Sequence, residues 1–377
     1  MNNRMLGIIN AGEENRKLRD LVRSRSTSAL PVGGRYRAVD FLISNMVNAG
    51  IKNIGLLTRK NYDSLLNHVG SGKAYGLNRK NDGLYIFPPY ITGASVTGEY
   101  TSVMDGLRGT LNFLRKAKEE YVLLGRSYVV FNADFNDMLD KHIKSDADIS
   151  VMYFDIDGDE TNVDYDGVYM KTDDESGQII NMCYSDGKQR SNKKNMDVYI
   201  MKRTLLIDLI EDAVAHNKKH FFFDVIIPNF DRLKIQGYEF KGYVGCITSV
   251  EAYYNVNMDL LKPEVIEELF HGRPIYTRTA DGSPAKYGKT ADVSNSLICS
   301  GCEIDGKVEN SIVFRGSQIS EGAVVKNSIV MAEGFIAKGA EIDHTILDRH
   351  VKVYSNAHLA GSSNHPVFIP KGASINE

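Results

Sequence analysis

The sequence predicts an α/β domain over the first two-thirds of the chain and a left-handed parallel β-helix over the last quarter. Two patterns predict this: apolar strand-like runs alternate with helical patterns, and aliphatic residues in the tail then recur every 17 positions. Length agrees, because 377 residues are too many for one ordinary hydrophobic core. The predicted divisions are an α/β domain at 1–255, a linker at 256–288 and the β-helix at 289–377.

The α/β domain is predicted from short apolar runs separated by amphipathic segments. The segment 36–50 has apolar residues at helical spacing and ends at Gly50, a residue typical of helix C-termini. Further helices are predicted over 101–120 and 204–217. This alternation predicts a largely parallel sheet that binds ligands at the carboxyl ends of its strands. The predicted strands are MLGIIN, NIGLLT, SYVVFNAD, DISVMYF and MDVYIMK.

The β-helix is predicted from columns of equivalent residues in successive coils. One coil cannot bury its apolar side alone, but stacked coils close a continuous core. Gly322, Gly339 and Asn356 share a corner, where a positive φ suits glycine or asparagine. A shorter coil over 293–307 precedes the others. The aliphatic columns are Val308, Val325, Ile342 and Leu359; Ile312, Ile329 and Ile346; and Ile319, Ile336 and Val353.

Composition excludes several classes of protein. A formal net charge of -3 gives no basic stripe for nucleic acid, and no apolar run approaches membrane-spanning length. The first ten residues read as a strand and not as a signal peptide. Four cysteines are too few for a disulfide framework in a chain of this size, so we expect a cytoplasmic location.

The loop after the first strand is a candidate anion site. It feeds a predicted helix and contains Gly12, whose backbone amide could help to cradle a phosphate, but Glu13 and Glu14 would repel one. Its basic residues either bind an anion or solvate a helix face. These residues are Arg16, Lys17, Arg19, Arg23 and Arg25.

Asp134 ends the apolar run SYVVFNAD and fits two roles. A carboxylate at the end of a strand can bind Mg²⁺, whereas an aspartate before a helical pattern is a common N-cap. The residue pattern alone favours the cap or a solvated loop.

Two further groups in the tail carry reactive side chains. Cys299 and Cys302 form a lone C-x-x-C without a second ligand pair, so we interpret them as packing or corner residues. His344, His350 and His358 could serve an acyltransferase, but no coenzyme-binding pattern accompanies them. We interpret these histidines as surface residues.

Three segments closely resemble bacterial glucose-1-phosphate adenylyltransferases (ADP-glucose pyrophosphorylases). They are ALPVGGRYRAVDFLISNMVNAGI, SVEAYYNVNMDLL and IYTRTADGSPAKYG, which leads into NSLICSGCEI. The resemblance implies a Rossmann-like (GT-A-like) nucleotidyltransferase domain followed by a left-handed β-helix. It also implies a tetramer, and the making of ADP-glucose and pyrophosphate from ATP and glucose 1-phosphate for glycogen synthesis.

The chain departs from this family at the catalytic positions. The family loop L-A-G-G-R-G-T-R-L matches residues 10–18, where Gly12 remains but Glu13 and Asn15 replace glycines. The resemblance places Arg16 and Lys17 in a degraded nucleotide site, and Thr27 at the position of a phosphate-binding lysine. It places Asp134 and Cys246 at the two metal-binding aspartates, so that only one carboxylate remains and no metal site is expected. The E-K-P motif for the sugar phosphate has no counterpart near 181–188.

These departures resemble the D-type, regulatory subunit of the glycogen-synthesis enzyme. The resemblance implies a chain with little or no activity alone and no cofactor of its own, which joins a Mg²⁺-dependent catalytic subunit in a heterotetramer. It also implies a sugar-phosphate effector, for which we predict an anion site at Arg23, Arg25 and Arg35. The alternatives are an active adenylyltransferase with an altered site, and an acyltransferase that uses the β-helix.

Overall fold

The α/β domain and the β-helix are both seen in a computed structural model, which describes residues 4–12, 15–89, 102–156, 167–173, 175–185, 188, 190–279 and 281–376. Glu13 and Glu14 of the candidate anion loop lie outside these residues. No helix within the described ranges is long and apolar enough to span a membrane.

The strands of the α/β domain follow the predicted apolar runs in most places. MLGIIN forms its predicted strand in full, and Gly50 has φ 84° just beyond the first helix, as a helix end requires. The strands are β1 Met5–Asn10, β2 Pro31–Val32, β3 Tyr36–Arg37, β4 Asn53–Leu57, β5 Gly83–Phe87, β6 Tyr121–Arg126, β7 Val129–Val130, β8 Ile149–Asp155, β9 Gly167–Thr172, β10 Ile179–Ser185, β11 Lys193–Lys202, β12 Ile235–Glu239 and β13 Gly245–Cys246.

The helices pack on both sides of these strands. The predicted helix over 101–120 is interrupted at Thr110, which ends α3 and begins α4. The helices are α1 Ala38–Asn48, α2 Asp63–Val69, α3 Val103–Gly109, α4 Leu111–Lys116, α5 Phe135–Ser145, α6 Arg203–Ala215, α7 Val250–Asp259 and α8 Pro263–Phe270. Short 3-10 turns cover Arg16–Val22, Thr27–Ala29, Lys73–Tyr75 and Ile227–Asn229, and a π-turn covers Phe221–Ile226.

The main sheet is mixed, where the sequence predicts a largely parallel one. Strands β6, β1, β4 and β5 are parallel neighbours, but β11 joins the other edge of β6 antiparallel. Beyond it β9 and β10 continue antiparallel, and β8 pairs with β11 and β12. The carboxyl ends of β1 and β6 therefore lie side by side, and the middle of β11 lies next to the end of β6.

Strand β6 is absent from the predicted set, and SYVVFNAD forms a much shorter strand than the sequence predicts. That run contributes only β7, which pairs with β13 outside the main sheet. The preceding run YVLLGR supplies the sheet strand instead. Both runs are short and apolar, so periodicity alone could not choose between them.

The β-helix has the predicted coils. Val308, Val325, Ile342 and Leu359 stack in register, and so do the two other predicted columns. The corner residues Gly322, Gly339 and Asn356 have φ of 72°, 73° and 62°. The three ladders begin at Lys286–Tyr287, Asp292–Ser294 and Leu297–Ile298, and end at Ser374–Ile375, His358–Ala360 and Val367–Ile369.

The two domains share a hydrophobic core, so the segment between them is not a free tether. Helix α7 crosses the predicted division at residue 255, and its buried Tyr253 belongs to the same cluster as Ile312, Phe314 and Ile329 of the β-helix. The β-helix itself begins at Lys286, three residues before the predicted start. Cys302 is buried inside the first coils, as a packing residue.

Candidate functional site

A cavity of about 490 Å³ opens at the carboxyl ends of β1 and β6. One side is polar and is formed by the loops that follow these two strands, together with the middle of β11. The other side is aromatic and comes mainly from residues 220–223. The polar side includes Asn15, Arg16, Lys17, Thr27, Ser28, Arg126, Ser127, Tyr128, Asp197 and Tyr199.

The loop after β1 places Arg16 and Lys17 in this cavity. Asn15 begins the following turn, since its side chain accepts a hydrogen bond from the Lys17 amide at 2.9 Å and donates to the Thr248 carbonyl. That turn is 3-10 and kinks at Arg19, whose φ is 47°. The part of the loop that the structure describes, from Asn15 onward, therefore does not begin an α-helix whose N-terminus could cradle a phosphate.

Gly12 has a packing role in this loop. A Cβ at Gly12 would lie 2.8 Å from Cβ of Arg59, so only glycine fits between the loop after β1 and the end of β4. Its amide donates to Asn10 Oδ1 at 3.2 Å, and the residue does not line the cavity.

The floor of the cavity is made of neutral hydroxyl groups. Thr27 and Ser28 lie in the 3-10 turn Thr27–Ala29 and both line the cavity. The hydroxyl of Ser28 is 2.7 Å from that of Ser127 and 3.4 Å from the Ala11 carbonyl. The position that the resemblance assigns to a phosphate-binding lysine thus carries no charge.

Asp197 lies at the centre of the polar side and is surrounded by donors. Arg126 Nη1 and the Tyr128 hydroxyl are each 2.7 Å from its Oδ2. The Tyr199 hydroxyl and Asn195 Nδ2 approach Oδ1 at 3.1 and 3.2 Å. These contacts use both carboxylate oxygens within the protein.

The backbone at Asp197 is strained. Its φ is 54°, within a register shift between β11 and β8 that interrupts the ladder from 195 to 199. Burial, and then the negative charge of Asp197, raise the pKa of Tyr128 and of Tyr199 well above the ordinary value for tyrosine. Both hydroxyls therefore stay protonated near neutral pH and act as hydrogen-bond donors to Asp197.

The aromatic side of the cavity has partly exposed rings at its edge. Phe221, Phe222 and Phe223 follow one another in a π-turn, a rare geometry that is often found at functional sites. Phe223 packs edge-on against Tyr184 of β10, with ring centroids 5.9 Å apart, and the two residues are 46% and 49% exposed. Large exposed rings in a concave site are suited to contact with a ligand.

Asp134 is not among the residues that line this cavity. It is the N-cap of α5, and its side chain accepts a hydrogen bond from the Asn136 amide at 2.9 Å. The cap interpretation is confirmed, and the prediction that Asp134 directly ends an apolar strand is wrong, because β7 stops at Val130. The physical reason is that the sheet strand is β6, which ends at Arg126, eight positions earlier.

Cys246 is not among the residues that line this cavity, although its thiol is close enough to Tyr128 to help raise the pKa of that hydroxyl. It pairs with Val129 in the β7–β13 ladder and lines a second cavity of about 1270 Å³, which lies between α7 and Asn295, Asn310 and Asn327 of the β-helix. Ile247 and Thr248, the next two residues, line the first cavity. Within the described ranges, no group of three histidine, cysteine, aspartate or glutamate side chains is arranged to hold a metal ion.

The three arginines predicted as an anion site are not equivalent. Arg23 and Arg35 are exposed, and the Arg35 guanidinium lies 5.8 Å from the centre of the Tyr36 ring. Arg25 is only 4% exposed, and its Nη2 lies 2.7 Å from both carboxylate oxygens of Asp348 in the β-helix. The prediction that Arg25 offers an open anion site is therefore wrong, because a carboxylate of the same chain occupies it.

Sequence reasoning missed the whole cluster around Asp197, which consists of Asp197 itself and its donors Arg126, Tyr128, Asn195 and Tyr199. One signal was present in the sequence, because an aspartate inside the apolar strand MDVYIMK has to be paired if it is buried. Arg126 and Tyr128 follow an apolar run that also carried a strand signal. The sequence could not show that the two strands are neighbours.

Comparison with protein families agrees with this architecture. The model described as "Nucleotidyl transferase" matches residues 6–262, which include every residue of the cavity. The chain belongs to this family. A second model, "GlmU-like, C-terminal hexapeptide", matches residues 281–364, so the C-terminal domain is a left-handed β-helix of the hexapeptide type.

Several curated members of the family are similar over most of their length. "Glycogen biosynthesis protein GlgD" of Bacillus subtilis (strain 168) is 33% identical over 376 residues, which cover 98% of this chain and 97% of that protein. The GlgD protein of Geobacillus stearothermophilus is 34% identical over 329 residues, covering 86% and 84%. "Glucose-1-phosphate adenylyltransferase" of Bacillus cytotoxicus is 32% identical over 323 residues, covering 85% of each chain.

Proposed function

We propose that this chain acts in glycogen biosynthesis as a regulatory subunit of glucose-1-phosphate adenylyltransferase, with little or no activity alone. The family and the similarity to both GlgD proteins and adenylyltransferases support the pathway and the reaction. The observation that carries the non-catalytic role is the closed cluster around Asp197, in which the protein itself uses both carboxylate oxygens.

Attack on the α-phosphate of ATP builds negative charge, which a divalent metal and cationic side chains must stabilise. Magnesium needs hard oxygen ligands with unoccupied lone pairs. Asp197 is the one carboxylate among the described residues that line the cavity, and donors already surround it. These residues do not fit a Mg²⁺ ion, so we assign Mg²⁺ to a catalytic partner.

The neutral side chains at the floor of the cavity also support a non-catalytic role. Thr27 and Ser28 provide hydroxyl groups, which cannot neutralise a phosphate as a lysine does. Removing one group that stabilises transition-state charge typically costs about 10² to 10³ in rate. We therefore propose that the chain retains the family scaffold for assembly with an active subunit, as part of a heterotetramer in the cytoplasm.

The test is ADP-glucose formation by three samples: this chain alone, a catalytic subunit from the same organism alone, and the two mixed. We expect no Mg²⁺-dependent product from this chain alone and a clear gain in rate on mixing. A catalytic subunit inactivated at its own metal ligands is the matched control. Mixed with this chain, it should give no product, because turnover belongs to the partner.

The second candidate is an active adenylyltransferase, which the similarity to proteins of that name favours. It predicts robust Mg²⁺-dependent pyrophosphate release by the purified chain, and loss of that release in Asp197→Ala. Such a result would overturn the regulatory proposal. Product formed by this chain with the inactivated partner would do the same, since the partner would then be activating this chain.

A further inference from the structure

One buried ion pair joins the β-helix to the α/β domain. The Arg25 guanidinium and the Asp348 carboxylate are 4% and 2% exposed, and Nη2 is 2.7 Å from both carboxylate oxygens. Arg25 Nη1 also lies 3.6 Å from the Met331 sulfur, in the neighbouring coil. Because its partners are 323 positions apart in sequence, the pair exists only when the two domains are docked.

The Asp348 end of the pair is held firmly by the β-helix. Asp348 follows the strand Thr345–Leu347, and its amide donates to the Ile369 carbonyl of the next coil at 3.0 Å. Its Oδ1 also accepts a hydrogen bond from the Arg349 amide at 2.6 Å. The carboxylate therefore moves with the coil, not independently of it.

The Arg25 end of the pair is connected along the chain to the residues that form the floor of the cavity. Two residues after Arg25 begins the turn Thr27–Ala29, whose first two side chains line the cavity. The Ser28 hydroxyl then contacts Ser127, just beyond the end of β6. Backbone hydrogen bonds from Ala29 to Ser26 and from Leu30 to Thr27, both 3.0 Å, hold this short segment together.

We propose that the Arg25–Asp348 pair couples the β-helix to the Thr27–Ser28 floor, so that a shift of the coil moves the cavity floor. A buried charge that loses its partner is strongly unfavourable, so Arg25 and Asp348 move together or separate completely. This coupling goes beyond the proposed function, because it holds whether or not the cavity is catalytic and whichever ligand the cavity takes.

Hydrogen–deuterium exchange of the full chain tests the coupling directly. In Asp348→Asn, the carboxylate charge is lost in the β-helix, and we expect exchange over residues 26–30 to rise about fivefold or more. Glu341→Gln is the matched control. Glu341 is an exposed carboxylate in the same β-helix, and its ion-pair partner within the part of the chain that the structure describes is His358 of the next coil. Residues 26–30 should therefore exchange as in the wild type.

A second variant separates coupling from simple destabilisation. Arg25→Met combined with Asp348→Leu replaces both charges by apolar side chains, which often preserves the stability of a buried site. We expect the double variant to unfold near the wild-type temperature and still to show raised exchange at 26–30. Two outcomes would overturn the proposal: raised exchange in Asp348→Asn confined to 345–350, or wild-type protection of 26–30 in the double variant.

Discussion

Asp197 adopts a backbone conformation that non-glycine residues rarely take, with φ 54°, inside a strand. The conformation places its carboxylate between Arg126 of β6 and Tyr199 of its own strand. Strain of this kind persists only where surrounding contacts outweigh it. The four donors around Asp197 provide those contacts, and they join β11 to the end of β6 on the polar side of the cavity.

Replacing Asp197 tests whether its four hydrogen-bond donors outweigh the strain in its backbone. In Asp197→Asn the side-chain shape is kept but the negative charge beside Arg126 is lost, while the strained φ remains. We expect a loss of about 2–4 kcal/mol in the free energy of unfolding, measured in urea. Asp208→Asn, at an exposed position of α6, should change it by less than about 0.5 kcal/mol. Equal losses in the two variants would contradict this account.

His142 gives the protein a predictable pH dependence. Burial, helped by the charge of Lys202, lowers the pKa of His142 to about 4, and its Nδ1 lies 2.8 Å from the Ser150 hydroxyl. An unfolded histidine titrates near 6.5, so between about pH 6.5 and 4 the unfolded chain binds a proton that the folded chain does not. The contribution of His142 to stability is therefore lost as the pH falls through this window.

We expect the wild type to lose about 1–3 kcal/mol more than His142→Asn between pH 7 and pH 4.5. The measurement is urea unfolding at both values. His216→Asn is the control, because the His216 side chain is 66% exposed and that variant should keep the wild-type pH dependence. If the free energy of unfolding depended on pH identically in the wild type and in His142→Asn, His142 would not be a source of that pH dependence.

The coils of the β-helix are held in register by aliphatic columns and turned at corners of fixed conformation. Gly322, Gly339 and Asn356 occupy the same corner with φ between 62° and 73°. A Cβ built at Gly322 meets no heavy atom closer than 4.0 Å. The requirement at this corner is therefore one of backbone conformation and not of space.

Two substitutions at Gly322 separate these causes. Gly322→Asn should cost only a few tenths of a kcal/mol, since asparagine tolerates positive φ, whereas Gly322→Val should cost about 1–2 kcal/mol. Thermal unfolding of both variants gives the comparison. Glu321→Val, at the exposed neighbouring residue, controls for a surface valine. Equal costs for asparagine and valine at 322 would show that conformation is not the cause.

Elements were predictable where the pattern was repeated or long. The 17-residue period predicted three of the aliphatic columns of the β-helix, and the spacing over 36–50 predicted α1 with its glycine end. The short runs YVLLGR and SYVVFNAD were ambiguous, because each fits a buried strand of about six residues. Which of them entered the sheet depended on pairing with β1, a contact between distant parts of the chain.

At the scale of the whole molecule, the two domains form one structure. One hydrophobic cluster combines Phe41 of α1, Tyr253 of α7, and Phe314 and Ile329 of the β-helix. The hairpin between β2 and β3 adds to this contact, since a Cβ at Gly34 would lie 2.3 Å from the Cys299 sulfur in the first coil. Neither domain could be removed without exposing part of this shared core.

We therefore expect a single transition for the full chain in scanning calorimetry. Phe314→Ala, which truncates a 4%-exposed ring at the shared core, should lower the stability of the whole transition by about 3–5 kcal/mol without dividing it. Tyr354→Ala, at a 43%-exposed ring of the β-helix, should have little effect. Two separate transitions in the wild type would show that the domains unfold independently.

The sequence by itself determined the two-domain architecture, the coils of the β-helix and the presence of Arg16, Lys17 and Thr27 near a strand-end loop, because these depend on local periodicity and chain order. Only the tertiary structure decided that Asp197 meets Arg126 and that Arg25 meets Asp348. Both are contacts between charges far apart in the chain. Their existence depends on which strands and coils become neighbours, and no local pattern encodes that.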